Sequence, residues 1–123
     1  MKTEQVAKRL VELCRQGNYT QAHEELFATD AANIEMEGMP AGPPMGSAKG
    51  LDAIKQKGRA FGEMLEAVHS NEVSEPVIAG NWFSVSAIMD ATMKGRGRVT
   101  MREICVYHVR DGRIDREQFF YDM

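Results

Sequence analysis

Residues 99–122, VTMREICVYHVRDGRIDREQFFYD, read as two long strands joined at Arg110-Asp111-Gly112. Each strand breaks a run of apolar and aromatic residues with one glutamate, Glu103 on the first and Glu117 on the second. Burying a carboxylate without a partner costs several kcal/mol. Either both glutamates face water, or the fold keeps them inside for their chemistry. Two turns fit the sequence. A two-residue type I′ turn at Asp111-Gly112 pairs Val109 with Ile114 and sets Val106 opposite Glu117, so the glutamates point to opposite faces. A three-residue loop with Gly112 in a left-handed bulge pairs His108 with Ile114 and sets Cys105 opposite Glu117 and Glu103 opposite Phe119. One face then carries Met101, Glu103, Cys105, Tyr107, Glu117, Phe119 and Tyr121. The other carries Arg102, Ile104, Val106, His108, Ile114, Arg116, Gln118 and Phe120. In that register the two carboxylates are diagonal neighbours, roughly 7–8 Å apart at the backbone.

Working outward, the rest of the chain supplies helices first and strands last. Val6, Leu10, Leu13 and Cys14 recur at helical spacing behind a Thr3 cap, and Gly17 closes that helix. A short second helix, capped by Asn18 or Thr20, carries Tyr19, Ala22, Leu26 and Phe27. Residues 33–37 alternate as a short strand. Gly38 to Ser47 holds three prolines and three glycines and reads as a covering loop that extends to Gly50. Leu51, Ile54, Gly58, Phe61 and Leu65 mark a third helix. Strands are expected at Val73–Ile78, Trp82–Met93, Val99–Val109 and Ile114–Tyr121. Helices followed by an antiparallel meander imply an α+β fold with helices on one face of a curved sheet. Such a sheet encloses a conical space, and a pocket is expected at its mouth, lined by the last three strands and the third helix.

At 123 residues the chain is expected to be one domain, residues 1–123, burying about two-thirds of its unfolded surface. A net charge of −3 argues against nucleic acid as a partner. Lys94, Arg96, Arg98 and Arg102 read as a solvated hairpin tip. Cys14 and Cys105 are far apart in sequence and suit a reducing cytoplasm, the location expected here. Residues 1–14 contain five charged side chains and no apolar secretory core, and no run approaches a membrane span, so no membrane partner is expected. Metal and nucleotide motifs (H-E-x-x-H, C-x-x-C, G-x-G-x-x-G, a P-loop) and a G-x-S-x-G nucleophile turn are missing, so neither metal nor cofactor is expected. Nine methionines suit a pliable interior as well as ordinary core filling.

Gly17-Asn18-Tyr19, Leu26-Phe27 before Asp30, Lys49-Gly50-Leu51-Asp52-Ala53-Ile54, Tyr107 to Ile114 and Glu117-Gln118-Phe119-Phe120 occur in a characteristic order. In these pieces the chain resembles the SnoaL-like branch of the nuclear transport factor 2-like superfamily, over nearly its whole length. The resemblance implies a cone-shaped, cystatin-like α+β fold whose curved antiparallel or mixed sheet wraps around N-terminal helices. It implies a small-molecule cavity and dimerisation through the outer sheet face, here Ile104, Val106, Ile114 and Phe120. Relatives include steroid isomerases, polyketide cyclases, epoxide hydrolases, dehydratases and non-catalytic binding modules. Against the steroid isomerases, Cys105 falls at the hydrogen-bonding aspartate position, and Glu117, Phe119 and Tyr121 line the last strand. That parity favours the bulged register. The isomerase tyrosine would fall at Leu10, which cannot donate, and its base near Glu35 or Met36. Against the epoxide hydrolases, Asp90 matches the first acid, but Ile88 and Phe119 occupy the partner positions.

The candidate catalytic residues are therefore Glu103, Glu117, Asp90, Tyr121 and His69. Met36, Phe61, Met64, Trp82, Met101, Cys105, Tyr107 and Phe119 are candidate ligand contacts. Two carboxyls sharing an apolar space repel and are desolvated, so at least one proton affinity rises. The raised member can donate while the other accepts. Tyr121 or Tyr107 can donate to an enolate oxygen, and His69 can shuttle a proton. This pairing suits cofactor-free isomerase or cyclase chemistry on a small apolar carbonyl compound. Plainer readings stand beside it: Arg102, Arg113 or Arg116 neutralising the glutamates at the surface, Asp90 as a hairpin acid, His69 as a helix-boundary residue. A ligand-binding module without turnover, or a dimerisation domain, is the alternative function.

Overall fold

The computed structural model describes residues 1–122. Helix α1 spans Thr3–Arg15, and its buried stripe Val6, Ala7, Leu10, Val11 and Leu13 follows the expected apolar spacing. Thr3 is the first helical residue rather than the cap. The Lys2 backbone N–H is held instead by the Gln5 side chain at 2.8 Å. Gly17, at φ +74°, ends this helix in the left-handed conformation that favours glycine. Helix α2, Tyr19–Leu26, stops one residue short of the expectation, because Phe27 already starts β1, Phe27–Ile34. The two-residue β2, Ala48–Lys49, follows the Pro/Gly loop, and α3 runs Leu51–Met64. Four more strands complete the chain: β3 Leu65–Val73 and β4 Val77–Ala79, then the long pair β5 Trp82–Met93 and β6 Gly97–Arg110. Strand β7, Arg113–Phe120, is last.

β3 is the largest departure from the sequence reading, which placed a strand only from Val73. Its first residues have no apolar alternation to find, because β3 lies at a sheet edge with residues 66–70 all exposed. The sheet runs β2-β1-β7-β6-β5-β3, with β4 also pairing with β5. β1 and β7 are parallel and the other pairs antiparallel, so the sheet is mixed, curved and unclosed. The architecture is the expected α+β arrangement.

The deciding hairpin combines features of both readings. Asp111 at φ +51° and Gly112 at φ +78° form a two-residue turn with both central residues left-handed, as a type I′ turn requires. Arg110 pairs with Arg113 and Val109 with Ile114. The ladder then shifts, so that His108 pairs with Arg116, Tyr107 with Glu117 and Cys105 with Phe119. The extra residue, Asp115, restores the face parity of the bulged reading while moving its pairing along by two residues. It also turns Ile114 inward. Ile114 is 0% exposed in the core and does not belong to the outer face where the sequence reading placed it.

Phe83 and Val85 on β5 and Cys105, Tyr107 and Val109 on β6 pack against α1, α2 and the start of α3. Tyr107 stacks on Phe83 with ring centroids 4.8 Å apart. This core fills one end of the concave face. The stretch beyond it, at Ala87, Met89, Met101 and Glu103, is only half-buried, and Ala91 and Met93 past it are buried again.

Candidate functional site

Asn33 on β1 stands beside Glu117 on β7 in the parallel ladder, and both side chains are buried, at 3% and 5% exposure. Ile54, Lys57, Phe61 and Met64 recur at three- and four-residue spacing along α3, so Lys57 sits on the stripe that faces the sheet. These elements bring together five polar groups. Lys57 Nζ donates to Asn33 Oδ1 at 2.5 Å and to Glu35 Oε2 at 2.5 Å. Asn33 Nδ2 donates to Glu117 Oε1 at 2.6 Å. At the far end the Tyr121 hydroxyl donates to Glu35 Oε1 at 2.7 Å. The ring of Phe119 lies under Lys57, 5.7 Å from Nζ to its centroid, and Met36 Sδ accepts from the Tyr121 backbone N–H.

Burial dominates the electrostatics. Removal from water lifts Glu117 from the ordinary 4.5 to about 7, against the pull of Asn33 and Lys57 and with the push of Glu103 and Glu35. Glu103 is raised as well, by burial first, and its partner is the Cys105 thiol, which donates at 3.5 Å to Oε1. Burial pushes the Cys14 thiol up to about 12 and the Cys105 thiol higher still, so neither is a thiolate at neutral pH. The Tyr107 hydroxyl is likewise held far above its usual range.

Glu103, Cys105, Glu117, Phe119 and Tyr121 thus share the concave face, but the two glutamates are not diagonal neighbours. Glu117 pairs with Tyr107, four residues along β6 from Glu103, which is about 13 Å of strand. Met101 pairs with Met89 in the half-buried stretch, and Phe61 and Met64, also half-buried, continue the α3 stripe. Tyr107, by contrast, is part of the closed core. The remaining sequence candidates lie elsewhere. Asp90 is on the outer face, gripped by Arg98 through two bonds of 3.0 and 2.8 Å, and that guanidinium keeps its carboxyl below the usual range. His69 is exposed on β3 and bonds the Thr92 hydroxyl. Trp82 is 45% exposed and tilted against the His108 ring on the outer face, with centroids 4.6 Å apart, so it cannot line the concave side. Its even position in β5 fixes this, since Phe83 and Val85 point inward. A hollow of about 390 Å³ lies between Met1–Thr3 and the β6–β7 turn, and another of about 300 Å³ between α1 and Glu75; neither adjoins the acids.

Asn33, Glu35 and Lys57 form the centre of the network; of these the sequence raises only Glu35, as one of two positions near which the resemblance puts the isomerase base, and neither Asn33 nor Lys57 is a candidate there. The signals were present. Asn33 and Glu35 alternate onto one strand face, and Lys57 is the single charged residue on the apolar stripe of α3.

The model of the SnoaL-like domain family matches residues 1–121. A Mesorhizobium loti protein described as a SnoaL-like polyketide cyclase, and also as a carbohydrate phosphatase, is 35% identical. Its structure superposes with a TM-score of 0.86 over 98% of this chain and 100% of that one. An NTF2-like protein from Burkholderia thailandensis is 18% identical, with a TM-score of 0.82 over 99% and 92% of the two chains. A Catenulispora acidiphila protein with a ketosteroid isomerase-like fold, in complex with trimethylamine, is 18% identical. It has a TM-score of 0.70 over 96% and 85% of the two chains. No curated protein matches. With the family model spanning nearly every residue and a relative above one-third identity, this chain belongs to the SnoaL-like domain family.

Proposed function

We propose that this chain is a cofactor-free acid–base enzyme of isomerase or cyclase type, acting on a small apolar carbonyl compound. The observation that carries the reading is Glu117, a buried carboxyl held near neutrality and bonded to Asn33 on the concave face. A group that gains and loses its proton near pH 7 is suited to donate in the transition state. Glu103, in the half-open part of the same face, takes the proton from the carbon next to the carbonyl. The C–H electron pair becomes the enolate C=C bond and the carbonyl oxygen gains the negative charge. Glu117 or Tyr121 donates to that oxygen. Returning the proton to another carbon completes an isomerisation; attack of the enolate carbon on a second carbonyl completes a ring closure.

Half-buried Met89 and Met101 on the strands beside Glu103, and half-buried Phe61, Met64 and Phe119 on the α3 stripe and β7, support an apolar substrate. The relative that holds trimethylamine supports a small ligand. A binding module without turnover is the competing reading, favoured by the way Tyr121 and Lys57 already occupy both oxygens of Glu35. We further propose a homodimer through the outer face, where Ile104, Trp82 and Phe120 are 47%, 45% and 43% exposed. We place the protein in the cytoplasm on its unpaired cysteines; no helix among the described residues is long and apolar enough to cross a membrane.

Incubating the protein in D2O with a panel of cyclic ketones and β-diketones, and weighing the recovered compounds, tests the shared first step. Deuterium uptake next to the carbonyl is expected, with Glu103→Gln and Glu117→Gln each slowing it by roughly 10²–10⁴-fold. Uptake at the wild-type rate in both variants overturns the acid–base reading. Unchanged ligand affinity with no uptake in any form establishes the binding module instead.

A further inference from the structure

The Lys57 ammonium has only donors, so the Asn33 atom that faces it is the carbonyl oxygen, and the amide nitrogen is left to face Glu117. An asparagine between a carboxyl and any acceptor could turn either way; between a carboxyl and an ammonium it has one orientation. We propose that Lys57 is a positioning residue, which acts on Glu117 through Asn33 by fixing the amide so that it always donates to Oε1. The inference rests on the reading of Glu117 as the proton-carrying acid.

The geometry around the three residues supports this. Lys57, Asn33 and Glu117 come from α3, β1 and β7, and each is less than a tenth exposed, so water does not compete for the amide. Lys57 is itself pinned by Glu35, which the Tyr121 hydroxyl holds from the other side. A donated bond stabilises the ionised carboxylate more than the neutral acid. The Asn33 bond therefore opposes the upward push of burial, and losing it lets the Glu117 midpoint rise. The other ionisable groups around Glu117 are Glu35 after β1, Glu103, Cys105 and Tyr107 on β6, and Cys14 on α1. Both thiols and the phenol stay neutral across the pH range concerned. The two glutamates and Lys57 remain as the charges to consider.

The test is a carboxyl ¹³C titration of the full chain, followed together with the side-chain amide resonances of Asn33, in wild type, Lys57→Met, Asn33→Leu and the double variant. In wild type the Asn33 amide signals should move with the Glu117 midpoint. Asn33→Leu should raise that midpoint by about one pH unit or more. Lys57→Met should raise it through the lost amide bond and the lost direct charge together, and the double variant should rise by clearly less than the two single rises added. Lys57→Arg keeps a donor on Asn33 Oδ1 and should restore the wild-type midpoint.

Fully additive rises in the double variant would mean that Lys57 acts only directly, by its charge and not through Asn33, and would overturn the proposal. So would Asn33 amide signals that ignore the Glu117 titration in wild type, an outcome readable even where Lys57→Met does not fold. If no glutamate of wild type titrates near neutrality, the reading of Glu117 fails instead. A glutamate that does titrate there without coupling to Asn33 removes only the role of Lys57.

Discussion

Replacing Glu117 by Gln should change how stability depends on pH more than it changes stability itself. In the folded chain Glu117 titrates at about 7, against an ordinary 4.5. The folded state therefore holds this proton more tightly than the unfolded state. Its contribution is fully present below pH 4.5 and is lost as pH rises through 7. The span corresponds to about 3 kcal/mol, a sizeable part of the roughly 5–15 kcal/mol that separates folded from unfolded domains. Gln keeps the shape and can still accept from Asn33 Nδ2, so the variant should match wild type near pH 4.5 and exceed it by about 3 kcal/mol at pH 8. Wild type alone hides this. His23, packed edge-on against Phe27 and lowered by burial to about 4, loses stability in the opposite direction as pH falls below 6.5. Between pH 4.5 and 6.5 the two slopes nearly cancel. The assay is urea unfolding of both proteins at intervals from pH 4.5 to 8, read as the difference between them. Parallel curves across that range would refute the argument that Glu117 is desolvated in the fold.

Further predictions follow the same physics. His23→Phe retains a ring against Phe27 but cannot take a proton, so it should remove about 3 kcal/mol of acid sensitivity between pH 6.5 and 4; the same unfolding series checks it. Gly112→Ala should cost about 1–2 kcal/mol by the same urea measurement. The turn holds Gly112 at φ +78°, and an added Cβ would lie 2.7 Å from the Met1 nitrogen. Sedimentation at micromolar concentration should find about twice the 13.8 kDa chain mass, reverting to the single chain in Ile104→Lys. A wild-type mass of one chain would remove the outer-face dimer.

Much of the fold was legible because hydrophobic spacing reports burial. The α1 stripe and the long β5, β6 and β7 strands are read from sequence nearly to their ends. β3 was missed because an exposed edge strand has no buried face to impress on its residues. The hairpin shows a different limit. Asp111-Gly112 specifies the turn, but the extra residue at Asp115 is chosen by what Ile114 and Glu117 must each face in the assembled sheet. Glu117 and Tyr121 share a face by parity alone, but bringing Glu103 onto it takes the hairpin register, which the family resemblance favours and residue spacing leaves open. Asp90 and Trp82 could not be placed without the β5 register, which puts both outside. The Lys57–Asn33 link joins residues 24 positions apart on a helix and a strand, and only the packing of α3 on β1 brings them together.

The central claim is that Glu117, buried in the concave face, holds its proton up to about neutral pH. Infrared difference spectra of wild type against Glu117→Gln, taken from pH 5 to 9 in D2O, test it most directly. One protonated-carboxyl C=O band should persist well above pH 5, disappear with a midpoint near 7, and be missing in the variant. If the only carboxyl bands in wild type vanish below pH 5, Glu117 is an ordinary ionised glutamate, and the account of the site is wrong.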